Sequence, residues 1–131
     1  MSTYTYYQEL AKPSWAPPAW LFGPVWTVLY VIIAASFGNV FWAAWQGTVP
    51  GLVAVPFVLN LIFNLSFTWL QFGLRNNALA AVDVVLVLLT LAWAMVAIYP
   101  YIPWVAYANI PYLLWVSFAT VLQLTITFLN R

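Results

Sequence analysis

Ala78-Leu79-Ala80-Ala81-Val82-Asp83-Val84-Val85-Leu86-Val87-Leu88-Leu89-Thr90-Leu91-Ala92-Trp93-Ala94-Met95-Val96-Ala97-Ile98 holds one charged side chain and one hydroxyl. As a helix rising 1.5 Å per residue it is about 31 Å long, which matches the hydrocarbon core of a bilayer. A transmembrane β-strand would need roughly ten residues of alternating polarity. This run is apolar on every side, so it predicts a membrane-spanning helix. Three similar runs flank it, at about 21–45, 52–72 and 104–129, around the span at 78–98. The connections are turn-like: Gln46-Gly47-Thr48-Val49-Pro50-Gly51, then Gly73-Leu74-Arg75-Asn76-Asn77, then Tyr99-Pro100-Tyr101-Ile102-Pro103. The expectation is an all-α integral membrane protein, one domain over residues 1–131, with four transmembrane helices. Pro24 falls in a first turn, where proline is tolerated, and Pro111 predicts a kink near the start of the last span.

Composition points the same way. Of 131 residues 66% are apolar and 4% are charged, against about 25% charged in soluble domains. A net charge of +1 leaves no basic patch for nucleic acid. Cysteine and histidine are absent, which removes thiolate chemistry, the commonest metal ligand and the usual general base. No metal site, nucleotide loop or hydrolytic triad is expected. Residues 1–11 lack the basic and apolar regions of a signal peptide. With Lys12-Pro13-Ser14-Trp15-Ala16-Pro17-Pro18-Ala19-Trp20 they form an expected interfacial segment over 1–20, extended where the prolines cluster. Lys12, Arg75 and Arg131 all fall on the side of the termini, so the positive-inside rule predicts both termini in the cytoplasm.

Polar groups inside the spans each need a partner, because lipid offers none. Asn60, Asn64 and Gln71 share one face of the second span, since offsets of four and eleven residues rotate by about 40° and 20°. Two readings of that stripe stay open: interhelical hydrogen bonding, or one wall of a ligand cavity. Trp26, Tyr30, Phe37 and Phe41 share a face of the first span, and Pro111, Trp115, Phe118 and Leu122 a face of the fourth. Trp20, Trp42, Trp45 and Trp104 suit an aromatic belt at the membrane surface. Asp83, near one end of the third span, costs up to about 2.5–3.5 kcal/mol to insert. Arg75 and an indole such as that of Trp69 are its expected partners, in a structural role.

Lys12-Pro13-Ser14-Trp15-Ala16-Pro17-Pro18, followed by Phe22-Gly23-Pro24-Val25-Trp26-Thr27-Val28-Leu29-Tyr30, resembles the tryptophan-rich sensory protein family (TspO, or translocator protein; TspO/MBR). Leu59-Asn60-Leu61-Ile62-Phe63-Asn64, Ala81-Val82-Asp83 and Ile110-Pro111-Tyr112-Leu113-Leu114-Trp115 with Phe118-Ala119-Thr120 follow in the family's order. The resemblance implies a compact, commonly dimeric bundle that binds porphyrins, sterols and synthetic aromatic ligands under a lid formed by the proline-rich segment. By position, Tyr7, Trp26, Asn60 and Trp115 line that pocket, with Ala119 in the small-residue segment of the last span. Trp15, Tyr30, Asn64 and Pro111 complete the expected ligand set. The resemblance implies five spans; the eleven residues ahead of the proline-rich loop are too few to cross a bilayer, so the expectation is either a short member without the first span or a longer natural chain of which this is a truncated form. A second protomer, a partner helix or lipid is expected to cover that side. The family's sterol pattern needs a tyrosine that Val121–Arg131 lacks.

The resulting expectation is a receptor-like protein of the bacterial inner membrane. It would sense, buffer or transport a porphyrin or other tetrapyrrole, with no obligatory cofactor. The alternatives are light-dependent porphyrin degradation through Trp26 and Trp115, and a non-catalytic subunit docking a larger complex at the face of the missing helix. An ion-coupled transporter fits least, because the spans show neither an inverted repeat nor paired charges.

Overall fold

A computed structural model describes residues 15, 16, 19–70, 74 and 76–129. A short 3-10 turn, Ala19–Leu21, leads into α1 (Phe22–Gln46). Then follow α2 (Gly51–Thr68), α3 (Asn77–Ile98), α4 (Pro103–Ala108) and α5 (Ile110–Leu129). Among the described residues there is no strand. Gly23–Gln46, Asn77–Ile98 and Ile110–Leu129 are long and apolar enough to cross a membrane, and α2 is a shorter apolar helix. Its 18 residues reach about 27 Å, at the short end of what spans a bilayer.

The ends are set by local chemistry. Gly47 closes α1 at φ 79°, a left-handed conformation, and its N–H reaches the carbonyls of Ala43 and Ala44. Asn76 caps α3, its Oδ1 accepting from the Leu79 N–H at 2.9 Å. Pro56 lies buried within α2, where a missing N–H breaks one rung of the helix ladder.

The expected single span over 104–129 is corrected: it is two helices. Pro103 starts α4, and the chain turns at Asn109 before α5 begins. Pro111 has no N–H to give the carbonyl of Tyr107, so the helix cannot run unbroken through this point. Asn109 stabilises the break from within. It is fully buried, and its Nδ2 donates to Ser36 Oγ of α1 at 3.0 Å and to the Val105 carbonyl at 2.8 Å.

α3 is the central helix and packs most extensively on α2 and α5, while α1 meets α2 and α4. The core joins Leu29, Ile33, Phe37 and Val40 of α1 to Phe57 of α2, Val87, Leu91 and Ala94 of α3, and Val116 of α5. Phe37 meets Phe57 edge-on with centroids 4.8 Å apart, a favoured aromatic geometry. The opposite faces carry Val31, Leu52, Ile62, Leu65, Val96 and Leu114, all exposed. In water this would be an aggregation surface; facing lipid tails it costs nothing. Trp20, Trp42, Trp45 and Trp104 are exposed near helix ends.

Candidate functional site: an aromatic surface backed by an amide–phenol chain

The site is built around one directional chain of hydrogen bonds. Tyr30 OH of α1 donates to Asn64 Oδ1 at 3.1 Å. Asn64 Nδ2 donates to Tyr112 OH at 2.7 Å, and Tyr112 OH donates to Asn60 Oδ1 at 2.8 Å. Asn60 Nδ2 then reaches the Val87 carbonyl at 3.0 Å and Thr90 Oγ1 at 3.2 Å. Thr90 Oγ1 finishes on the Leu86 carbonyl at 2.8 Å. Every donor points the same way, so each bond polarises the next. The chain ties α1, α2, α3 and α5 together, and Asn60 and Tyr112 within it are fully buried.

The two readings of the amide stripe are thereby related. Both amide hydrogens and the carbonyl of Asn60 are engaged by the protein, so this residue orients Tyr112. Asn64 spends its carbonyl on Tyr30 and one amide hydrogen on Tyr112. Gln71, the third member, lies outside the described residues.

One indole adjoins this chain, and a second ring cluster lies on α5. Trp26 stacks at a tilt on Tyr30, centroids 5.4 Å apart, and meets Tyr112 edge-on at 6.4 Å. On α5, Trp115 lies 5.6 Å from Phe118, and Phe118 receives Trp15 edge-on at 5.7 Å. Trp15 therefore touches the bundle at the α5 aromatic pair. Trp26, Trp115, Phe118 and Ala119 are half-buried, whereas Tyr30 is exposed. Phe37 and Phe41 of the expected α1 stripe belong instead to the packing against α2.

The expected α5 face is divided. Trp115 and Phe118 stay together and half-buried and Leu122 is buried, but Pro111 is exposed, and the buried residues are Tyr112, Val116, Thr120, Leu122, Gln123 and Ile126. Tyr112 is the residue sequence reasoning missed as a site member. A signal existed: Tyr112, Thr120 and Gln123 follow helical spacing, and three polar side chains on one face of an intramembrane helix call for partners. Of the other expected residues, Tyr7 and Arg75 lie outside the described residues. The expected Asp83–Trp69 contact is absent, because Trp69 is exposed on the outer surface. Asp83 is buried, and its Oδ2 has no hydrogen-bond partner among the described residues. No cluster of metal-binding side chains occurs among the described residues either.

These features define an α-helical integral membrane protein whose helices are joined by buried amides and phenols, with aromatic rings packed beside them. The TspO/MBR family model matches residues 1–129, and the chain belongs to that family. It is 36% identical over 92 residues to the tryptophan-rich protein TspO of Chlorobaculum tepidum, covering 70% of this chain and 58% of that one. It is 41% identical over 86 residues to the tryptophan-rich protein TspO of Bacillus cereus, covering 66% and 55%. It is 35% identical over 113 residues to the human translocator protein, covering 74% and 64%. The chain thus spans 55–64% of the length of these relatives.

Proposed function

We propose that this TspO-family protein binds a tetrapyrrole or a similarly flat, hydrophobic ligand within its bundle, to sense, buffer or transport it. The observation that carries this reading is the packing of Trp26 of α1 against Tyr30 and against Tyr112 of α5, at the head of one buried hydrogen-bond chain, with a second ring pair, Trp115 and Phe118, on α5. Large, partly open rings held by a rigid polar backing suit a conjugated macrocycle, which gains most from stacking. Trp15 against Phe118 supports the proline-rich segment as a cover over this surface. In this reading Asn60 and Asn64 fix the angle of the Tyr112 and Tyr30 rings, while Trp26, Trp115 and Ala119 meet the ligand. Charge placement supports cytoplasmic termini in a bacterial inner membrane, and a second protomer or a partner helix beside the bundle completes the assembly.

The test is a protoporphyrin titration in nanodiscs, followed by tryptophan fluorescence. Saturable micromolar quenching is expected, weakened about tenfold by Trp26→Phe or Trp115→Phe. Quenching that never saturates, or that both variants leave unchanged, refutes the reading. A second reading, light-dependent breakdown of the bound pigment, draws support from the tyrosine rings beside Trp26, which place phenols next to an oxidisable indole. Product formation under illumination that survives both substitutions refutes it.

A further inference from the structure

Asp83 is the one acidic side chain within the spans, and the fold makes no use of it that the structure reveals. It lies on α3, where an offset of four residues to Val87 and seven to Thr90 puts all three on one face. That face receives Asn60, through the Val87 carbonyl and Thr90 Oγ1. Asp83 therefore stands one turn along α3 from the hydrogen-bond chain. The residue is 5% exposed, and Oδ2 accepts no hydrogen bond among the described residues. The chain runs unbroken from Tyr30 to Thr90 without it. A carboxyl buried in a membrane bundle is costly, and one that ties no helices together marks a functional position.

We propose that Asp83 is a ligand-contacting residue, its open carboxyl oxygen accepting a hydrogen bond from a pyrrole-type N–H on a flat aromatic ligand seated against Trp26 and Tyr112. The assignment rests on the ligand-binding reading above and adds the polar group by which the ligand is selected. Rings give affinity to any flat apolar molecule. An unfilled acceptor discriminates, because a ligand without a donor leaves it unpaired. Asn64, with an amide hydrogen left over beyond its bond to Tyr112, offers a donor on the same side for an acceptor on that ligand.

The test uses two tricyclic probes of one shape: carbazole, which carries a pyrrole-type N–H, and dibenzofuran, which has oxygen in its place. Binding is measured in nanodiscs, with empty nanodiscs subtracted. The wild-type chain is expected to bind carbazole about tenfold more tightly than dibenzofuran, the usual size of one hydrogen bond to a carboxyl. Asp83→Leu is expected to abolish that preference, bringing the affinities for the two probes within about twofold of each other. Its melting temperature should equal or exceed that of the wild type, since an unpaired polar group gives way to an apolar one. Equal affinities for the two probes in the wild type, or a preference that persists in Asp83→Leu, overturn the proposal. So does a clear loss of stability in Asp83→Leu, which would make the residue structural. Protoporphyrin titrated in parallel separates the two claims. If it binds saturably while the carbazole preference is absent, only the role of Asp83 fails; if protoporphyrin, carbazole and dibenzofuran all fail to bind, the ligand-binding reading fails with it.

Discussion

Removing a single oxygen from Tyr112 tests whether the hydrogen-bond chain holds the bundle together. Tyr112→Phe keeps the ring, and with it the edge contact to Trp26 at 6.4 Å. It deletes the donor to Asn60 Oδ1 at 2.8 Å and the acceptor of Asn64 Nδ2 at 2.7 Å. Hydrogen bonds between membrane helices average about 0.6 kcal/mol and reach about 1.7 kcal/mol. Losing two gives roughly 1–3 kcal/mol, with the upper part reached because Asn60 is fully buried and has no other donor for its carbonyl. Membrane proteins unfold reversibly in mixed micelles as the denaturing detergent fraction rises, and the free energy is read from that transition. Coupling decides the matter. Tyr112→Phe and Asn60→Leu together should cost less than the sum of their separate effects, by about 0.5–1.5 kcal/mol, because each removes the same bond. A Tyr112→Phe chain within 0.3 kcal/mol of wild type, or strictly additive costs in the double variant, refutes the chain as a source of stability.

Three further outcomes follow from local geometry. Gly47→Ala places a Cβ in open space but at φ 79°, so backbone strain alone should cost about 1 kcal/mol and lower the melting temperature by a few degrees. Asn76→Ala removes the acceptor of the Leu79 N–H and should cost about 1 kcal/mol, with faster amide exchange confined to the first turn of α3. Ser36→Ala takes away the α1 partner of Asn109; the same unfolding assay should register a loss of about 1 kcal/mol, and an unchanged transition would show that the α4–α5 break is held by backbone geometry alone.

The contrast between sequence and structure is sharpest at α5. Its run of apolar residues was enough to predict a spanning helix, and Pro111 was enough to predict a disturbance at its start. The sequence did not reveal that the break would be completed by Asn109 reaching across to Ser36, seventy-three residues away. The same holds for the site. Asn60 and Asn64 were legible as a polar face, because two amides one turn apart in lipid demand partners. Tyr112 was less so, because only its spacing from Thr120 and Gln123 marks it among the aromatics of its helix, and that spacing does not say that its hydroxyl is engaged at both lone pair and proton. Asp83 was visible as a cost, yet its suggested contact with Trp69 fails because α2 turns that indole to the outside.

By itself, then, the amino-acid order determined the helical class, the membrane as solvent, the number and approximate limits of the long apolar segments, and the positions where Gly47, Asn76 and the prolines punctuate them. Those features depend on backbone groups that lipid cannot satisfy, so each segment must bond within itself, and its length is read from its own residues. Tertiary structure alone decided which faces turn inward and which polar atoms meet. Helices apolar all round carry little rotational information, so their orientation is fixed by packing and by the few side chains, Tyr30, Asn60, Asn64 and Tyr112, that find partners only on another helix.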